Sequence, residues 1–123
     1  MIVGLGIDVL EVGRMAELLK RYGPRLWHRI LTVQEIEQAR GDPARFLASR
    51  WASKEAAAKA LGTGFASGVT WKHIRVDGPP GEAPALFLEG PAQARMEEVG
   101  ARRAMLSLSH SRGLAVAVVV LEG

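Results

Sequence analysis

An acidic and a basic side chain stand four residues apart in the segment WASKEAAAKALGTG (residues 51–64), and a glycine-rich turn follows them. They are Glu55 and Lys59. Glycine lets the backbone come close to a ligand, and backbone amides in such a turn can face a phosphate. An acid, a lysine and a glycine turn together are typical of a site that binds a metal ion and a phosphate. The turn consists of Gly62, Thr63 and Gly64.

The same spacing has a simpler interpretation. Glu and Lys four residues apart on a helix form an ordinary ion pair worth about 0.2–0.5 kcal/mol, and such pairs are common on alanine-rich helices. Two further candidates are Asp8, at the end of a predicted strand, and His110, in a predicted turn between two strands. An Asp at a strand end is more often a cap or a turn former. A lone His is more often structural or simply exposed.

Taken together, the candidates indicate a more specific chemistry. Two carboxylates, Asp8 and Glu55, in a chain without cysteine suit a hard cation such as Mg²⁺. This ion takes few protein ligands and completes its shell with water and phosphate oxygens. Lys59 and the glycine turn would then bind a phosphate that the metal also contacts. This favours phosphoryl-type transfer over glycoside hydrolysis, although paired acids alone permit either reaction.

A long helix must position Glu55 and Lys59. Residues of high helix propensity dominate the segment. Asp42-Pro43 supplies an N-cap and a first-turn proline, and Gly62 is placed to end the helix. We therefore predict a helix over residues 43–61.

On this helix Glu55 projects from the middle of an apolar stripe, and Lys59 lies at the edge of that stripe. A carboxylate in such a place is costly to bury unless a cation compensates it. Arg50 and Lys54 are predicted to lie on the opposite, more polar side. The stripe comprises Leu47, Ala48, Trp51, Ala52 and Ala58.

The remaining pattern predicts a single α+β domain, with a mostly antiparallel sheet packed against the long central helix. Residues 2–7 are expected to form a buried strand that ends at Asp8. The last strand is apolar on both faces, so it is central or covered by another subunit. The other predicted elements are a helix over residues 12–22, a surface turn over 25–30, a capped helix over 32–41, a hairpin of 71–76 and 85–88, a helix over 91–99, and strands 104–109 and 114–121 joined by a turn at 110–113.

Composition narrows the class of protein. A chain of 123 residues with 48% hydrophobic side chains can form one domain with a substantial core. It has no cysteine and no apolar run long enough to span a membrane. Its first eight residues lack the basic start of a secretory signal. We therefore expect a cytoplasmic protein with no membrane partner.

The positive charge is local. Residues 14–29 carry five basic side chains against one acidic one, a net charge of +4 in a chain whose total is +3. Such a patch indicates one acidic partner. A nucleic-acid-binding module is a rival hypothesis, but only seven aromatic residues are present and no strand carries paired aromatics for base stacking. A purely structural trimer, with Glu55–Lys59 as an interface salt bridge, is a second rival.

Three segments resemble the signature blocks of the holo-[acyl-carrier-protein] synthases, the small trimeric branch of the 4'-phosphopantetheinyl transferases. The segments are GIDVLEVGR (residues 6–14), WASKEAAAKALGTG (residues 51–64) and SLSH (residues 107–110). They occur in the family's order, and the resemblance covers nearly the whole chain. These enzymes move phosphopantetheine from coenzyme A to a serine of acyl carrier protein and leave adenosine 3',5'-bisphosphate. The resemblance implies the same Mg²⁺-dependent reaction here, in fatty acid biosynthesis.

The resemblance also implies roles for individual residues. Asp8 and Glu55 would bind Mg²⁺ together with the coenzyme A pyrophosphate, and Lys59 would bind a phosphate. Arg50 and His110 would contact the nucleotide part of coenzyme A. The residues that would line that pocket are Gly62, Thr63 and Gly64.

The resemblance also implies a partner for the basic patch. Arg14 would contact the acidic carrier protein, and the stretch through Arg21 and Arg25 would extend that surface. The resemblance further implies a homotrimer with its sites between neighbouring subunits. The serine hydroxyl would attack the β-phosphorus, with either Glu55 or a water activated by the cation as the general base. A carrier domain of a larger synthase is the alternative acceptor.

Overall fold

The structure, a computed structural model, describes residues 1–123. Its strands form two antiparallel sheets, one of three strands in the order β1-β5-β4 and one of two strands, β2-β3. This confirms the predicted α+β class. None of the helices is both long and apolar enough to cross a bilayer. The elements are β1 Ile2–Glu11, α1 Val12–Tyr22, α2 Pro24–Ile30, α3 Val33–Glu37, α4 Pro43–Leu61, a 3₁₀ turn Trp71–His73, β2 Ile74–Asp77, β3 Ala85–Leu88, α5 Gly90–Glu98, β4 Arg103–Ser111 and β5 Leu114–Glu122.

The central helix α4 has the predicted bounds. The Asp42 side chain caps it by accepting a hydrogen bond from the Arg45 amide at 3.0 Å, and Pro43 occupies the first turn. Gly62 ends it in the left-handed conformation, with φ of +79°. The expectation of a polar outer side is wrong, because Arg50 and Lys54 are both buried. Elements α1, α2 and β2 pack onto α4 in addition to the sheet, so little of the helix faces solvent.

Strand β1 lies directly against α4 because two of its residues have no side chain. A Cβ atom on Gly6 would stand 1.9 Å from the carbonyl oxygen of Ala56, and one on Gly4 would stand 2.4 Å from that of Ala60. Any larger residue at these positions would force the strand away from the helix. Alternate strand residues share a face, so Asp8 points to the same side as the two glycines.

Two predictions about β1 are wrong. The strand continues to Glu11, so Asp8 lies inside it and pairs with Ala117 of β5. The strand is not buried either, since the side chains of Leu5 and Ile7 are 64% and 56% exposed. Both results follow from the position of β1 in the sheet. β1 is an edge strand that pairs with β5 along its whole length, and no element of the chain covers its outer face.

Strand β5 is central in its sheet, which is the first of the two alternatives that its apolar sequence allowed. Ala115, Ala117, Val119 and Leu121 are fully buried on the face toward α4. The opposite face remains only half-buried, because no helix lies on it. Together with β1, it forms an apolar surface that we call the open sheet face. Its residues are Val3, Leu5, Ile7, Val9, Val116, Val118 and Val120.

The third strand of this sheet corrects the predicted turn. Strand β4 runs to Ser111, so His110 lies within the strand and pairs with Ala115. The turn contains only Arg112 and Gly113, which have φ of +50° and +76°. Two central residues with positive φ are typical of the two-residue hairpin whose twist matches that of its strands.

Smaller differences concern the helices and the second sheet. Residues 25–30 belong to helix α2 and not to a surface turn, because Pro24 starts the helix. Helix α3 ends at Glu37 instead of residue 41, where the Gln38 side chain turns to bind Asp77 and the Gly78 amide. Helices α1 and α5 and the β2–β3 hairpin are confirmed, except that a 3₁₀ turn precedes β2.

Candidate active site

Asp8 and Lys59 meet where β1 crosses α4. Lys59 Nζ donates to Asp8 Oδ1 at 3.1 Å and to the Ile7 carbonyl oxygen at 3.0 Å. The closeness of the glycines of β1 to the helix backbone brings the two side chains within reach. The simple ion pair between Glu55 and Lys59 does not form, because Lys59 binds Asp8 instead.

Glu55 completes a group of three charged side chains at this position. Burial raises the pKa of Glu55 from its ordinary value of 4.5, the charge of Asp8 raises it further, and Lys59 opposes the change. Two carboxylates that repel one another in a half-buried place are stabilised by a divalent cation. No third Asp, Glu, His or Cys is close enough to complete a site made of protein ligands alone. The donor set therefore fits a hard ion that keeps water and phosphate ligands.

The glycine turn uses most of its own amides. The Gly62 amide donates to the Lys59 carbonyl at 3.0 Å, and the Gly64 amide donates to the Ala58 carbonyl at 3.2 Å. These bonds cap the C-terminus of α4. Of the amides in the turn that could face a phosphate, only that of Thr63 lacks a backbone partner.

The same turn borders a cavity of about 520 Å³ between α4 and α5. Gly62 and Thr63 line it together with Arg95 and Glu98 of α5. Arg95 Nε donates to the Leu61 carbonyl oxygen at 2.9 Å, which fixes α5 to the end of α4. Within one chain, this cavity contains neither Arg50 nor His110.

Arg50 and His110 line a different depression, of about 260 Å³. The buried Arg50 Nε and His110 Nε2 atoms have no hydrogen-bond partner, and buried polar atoms of this kind usually have one. Burial lowers the pKa of His110, and the positive charges of Arg45 and Arg50 lower it further. Arg40 also lines the depression, and the depression's one carboxylate, that of Asp42, caps α4. The excess of positive charge suits a polyanionic group.

The chain thus presents two half-sites on different sides of α4. Arg50 and Glu55 are five residues apart, which places them about 140° apart around a helix. No hydrogen bond or ion pair joins Arg50 or His110 to Asp8, Glu55 or Lys59. One copy of the chain therefore does not bring all predicted site residues together.

The three arginines predicted to bind a partner are exposed. Arg14 and Arg21 lie on α1, and Arg25 lies on α2. A depression of about 350 Å³ opens where these helices meet, and Arg25 and Arg29 line it. All five basic side chains of residues 14–29 are therefore exposed, on two consecutive helices that contact each other.

Some features of the site were not predicted from the sequence. Arg45 faces His110 and contributes to the positive depression. Gly4 and Gly6 set the distance between β1 and α4. The alternation Gly-x-Gly-x-Asp in a strand is a signal that could have revealed their role, because it places both glycines on the face of Asp8.

Comparison with known proteins shows the family of the chain. Residues 4–119 match the profile of the 4'-phosphopantetheinyl transferase superfamily. A holo-[acyl-carrier-protein] synthase of Nitratidesulfovibrio vulgaris (strain DP4) is 50% identical over 123 residues, which are 99% of this chain and 99% of that protein.

Solved structures show the same fold. The crystal structure of holo-[acyl-carrier-protein] synthase from Neisseria meningitidis superposes with a TM-score of 0.88 at 38% identity and covers 100% of both chains. That of the Helicobacter pylori enzyme in complex with coenzyme A gives a TM-score of 0.84 at 30% identity, over 96% of this chain and 99% of that chain. The chain therefore belongs to the holo-[acyl-carrier-protein] synthase family of enzymes, within the 4'-phosphopantetheinyl transferase superfamily.

Proposed function

We propose that this protein, as one domain spanning residues 1–123, transfers 4'-phosphopantetheine from coenzyme A to a serine of apo-acyl carrier protein in fatty acid biosynthesis. The transfer depends on Mg²⁺ and releases adenosine 3',5'-bisphosphate. The observation that carries the proposal is the meeting of Asp8, Glu55 and Lys59 in a chain 50% identical to a named holo-[acyl-carrier-protein] synthase. We further propose that it acts in the cytoplasm.

Asp8 and Glu55 are the residues that would hold the metal. When bound, Mg²⁺ neutralises charge on the pyrophosphate and on the leaving group. Lys59 is half exposed, with 51% of its side chain accessible, so its ammonium can turn from Asp8 toward a phosphate of coenzyme A. Its positive charge then stabilises the leaving adenosine bisphosphate.

The reaction exchanges one phosphorus–oxygen bond for another. The serine hydroxyl oxygen of the carrier protein bonds to the β-phosphorus, and the bond from that phosphorus to the bridging oxygen breaks. The serine proton needs an acceptor, and Glu55 is the candidate among the side chains of this chain. Without a bound metal, burial and the charge of Asp8 raise the pKa of Glu55. A bound cation would oppose that rise.

The nucleotide part of coenzyme A would occupy the depression of Arg50 and His110. Its phosphates match the positive charge there, and the unpartnered Arg50 Nε and His110 Nε2 atoms supply hydrogen-bonding groups. Because this depression and the Asp8–Glu55 pair lie on different sides of α4, one coenzyme A molecule would bind across two copies of the chain.

The open sheet face supports a homotrimer that forms such composite sites. Its side chains include Leu5, Ile7 and Val9, each more than half exposed. A contiguous apolar surface of this kind marks an association site. We propose that three copies bury this face around a common axis and thereby bring the half-sites of neighbouring subunits together.

The carrier protein would bind the basic surface of α1 and α2. Arg14, Arg21 and Arg25 are exposed there, and residues 14–29 hold the net positive charge of the chain. Acidic partners associate with such a surface faster and more tightly at low salt.

The experiment is mass spectrometry of apo-acyl carrier protein after incubation with this protein, coenzyme A and Mg²⁺. We expect each carrier molecule to gain the mass of one phosphopantetheine, and no gain when EDTA replaces Mg²⁺. Asp8→Asn is expected to remove the reaction, whereas Asp77→Asn, a matched change in the other sheet, is expected to retain it. Full conversion by Asp8→Asn would contradict the assigned site.

A further inference from the structure

Two lysines from distant parts of the chain bind the C-terminal end of helix α2. Lys72, in the 3₁₀ turn, donates hydrogen bonds from Nζ to the carbonyl oxygens of His28 and Leu31. Lys54, in α4, donates to the carbonyl oxygen of Ile30 at 2.6 Å. Carbonyl groups in the last turn of a helix have no partner within that helix. These lysines therefore satisfy groups that would otherwise require water.

Helix α2 depends on such contacts. It has seven residues, and its N-terminus has neither a side-chain cap nor an acidic residue in the first turn. Isolated helices of this length are unstable in water. Ile30 is its only fully buried residue, and Trp27 packs on Phe46 with ring centroids 5.9 Å apart. Positive charge at a helix C-terminus is also favourable to the helix dipole.

The outer side of α2 is part of the basic surface. Arg25 and Arg29 are exposed, and they line the depression at the joint with α1 together with Tyr22 and Leu26. With α2 docked on α4, both arginines face the same depression. The position of both charges, Arg25 in the first turn and Arg29 in the last, thus depends on how the lysines hold the C-terminal end of the helix.

We propose that Lys72 is a positioning residue for carrier-protein binding, which holds α2 in the orientation that presents Arg25 and Arg29. This inference rests on the proposed role of the basic surface. Lys72 is exposed and lies outside the catalytic group, whereas Lys54 is fully buried and supports the core. Removing the Lys72 ammonium is therefore expected to loosen α2 without unfolding the protein, because Lys54 still binds the Ile30 carbonyl.

The size of the effect follows from the docked population. If loss of Lys72 leaves α2 docked in about a tenth of the molecules, the apparent affinity for the carrier falls about tenfold. The chemical step and coenzyme A binding use other residues, so kcat and the KM for coenzyme A stay within about twofold. A general loss of stability would instead lower all of these parameters together.

The experiment compares Lys72→Met with Lys72→Arg, and with Arg102→Met as a control that removes an exposed cation elsewhere. The KM for acyl carrier protein, the KM for coenzyme A, kcat and hydrogen exchange of residues 26–31 are measured for each. We expect Lys72→Met to raise the carrier KM about tenfold and to speed exchange only in α2. Lys72→Arg restores both values because its guanidinium can donate to the same two carbonyl groups.

An unchanged carrier KM in folded Lys72→Met would overturn the inference, as would an equal loss of kcat and of affinity for both substrates. If this variant does not fold, Lys72→Gln is used with the same criteria. Arg25→Glu, measured in parallel, separates the inference from the proposed function. If the carrier KM rises in Arg25→Glu but not in Lys72→Met, the role of Lys72 is refuted and the proposed carrier-binding surface is not. No change in either variant refutes both.

Discussion

Breaking the buried ion pair between Lys54 and Glu35 is expected to be the most destabilising single change in the core. Both side chains are 0% exposed, and Lys54 Nζ lies 2.7 Å from Glu35 Oε1. Lys54 also donates to the carbonyls of Ile30 and Trp71, at 2.6 and 3.0 Å. Its three protons are thus all used. Burial lowers the pKa of Lys54, and Glu35 opposes that change.

Glu35 has a comparable set of partners. Its Oε1 atom accepts from the Thr32 amide at 2.7 Å, and its Oε2 atom accepts from the Val76 amide at 2.8 Å. Lys54→Met keeps the volume of the side chain but leaves this carboxylate buried without its cation. Removing one partner of such a pair costs about 3–5 kcal/mol. For a chain of this length, that corresponds to a fall in Tm of about 15 °C.

The assay is urea unfolding of the wild type, Lys54→Met, Glu35→Gln and the double variant, at one protein concentration. In the double variant neither charge remains, so its cost is expected to be smaller than the sum of the single costs by about 2 kcal/mol. Additive effects, or a single-variant cost below about 1 kcal/mol, would refute the assignment of this pair as a coupled element of the core.

Three further predictions concern the site and its scaffold. Glu55→Gln is expected to abolish transfer while the protein stays folded. Because the raised pKa of Glu55 makes the folded state bind a proton more tightly, the free energy of unfolding falls as pH rises from 4.5 through the folded pKa. Thermal unfolding of Glu55→Gln, measured in EDTA, should not show this decrease in stability with pH. A pH dependence equal to that of the wild type would contradict the assignment of the raised pKa to Glu55. Gly6→Ala places a Cβ atom 1.9 Å from the Ala56 carbonyl oxygen. We therefore expect urea unfolding to show a free energy of unfolding lower by about 3 kcal/mol or more. A decrease below about 1 kcal/mol would show that β1 can move away from α4. In steady-state assays, Arg14→Glu should raise the KM for carrier protein in a salt-dependent way and leave coenzyme A binding unchanged. Arg102→Glu, outside the basic patch, should change neither. Equal effects of the two variants would refute the proposed carrier-binding surface.

The helices were largely predictable because their signals are local. Asp42, Pro43 and Gly62 determine the bounds of α4, and the structure places its ends at the residues the sequence predicted. The bounds of β5, Leu114–Glu122, were predicted to within one residue from its apolar run for the same reason. In each case the residues that fix the element lie within it or beside it.

Two of the errors concern features that distant segments determine. Helical periodicity predicts that Lys54 lies on the more polar side of α4, but Glu35 and the carbonyl groups of two other segments surround it. Helical periodicity cannot show this, because the compensating groups are 17 to 24 residues away in the chain. The extent of β1 beyond Asp8 depends on its pairing with β5, which comes from the other end of the sequence.

The candidate site likewise has one part that the sequence predicted and one part that it did not. The motif residues identify Asp8, Glu55 and Lys59, and the fold brings them together. The separation of Arg50 and His110 from that group depends on how the sheet and α4 pack. Sequence spacing alone carries no information on that packing.

The most direct test of the account is the binding of Mn²⁺, a paramagnetic substitute for Mg²⁺, followed by electron paramagnetic resonance in the presence of coenzyme A. We predict one bound Mn²⁺ ion per chain. The affinity of the protein with coenzyme A for Mn²⁺ should exceed the affinity of coenzyme A alone for the same ion. Asp8→Asn and Glu55→Gln should each return the affinity to the value of free coenzyme A. Unchanged Mn²⁺ binding in both variants would contradict the claim that these two carboxylates hold the metal of the reaction.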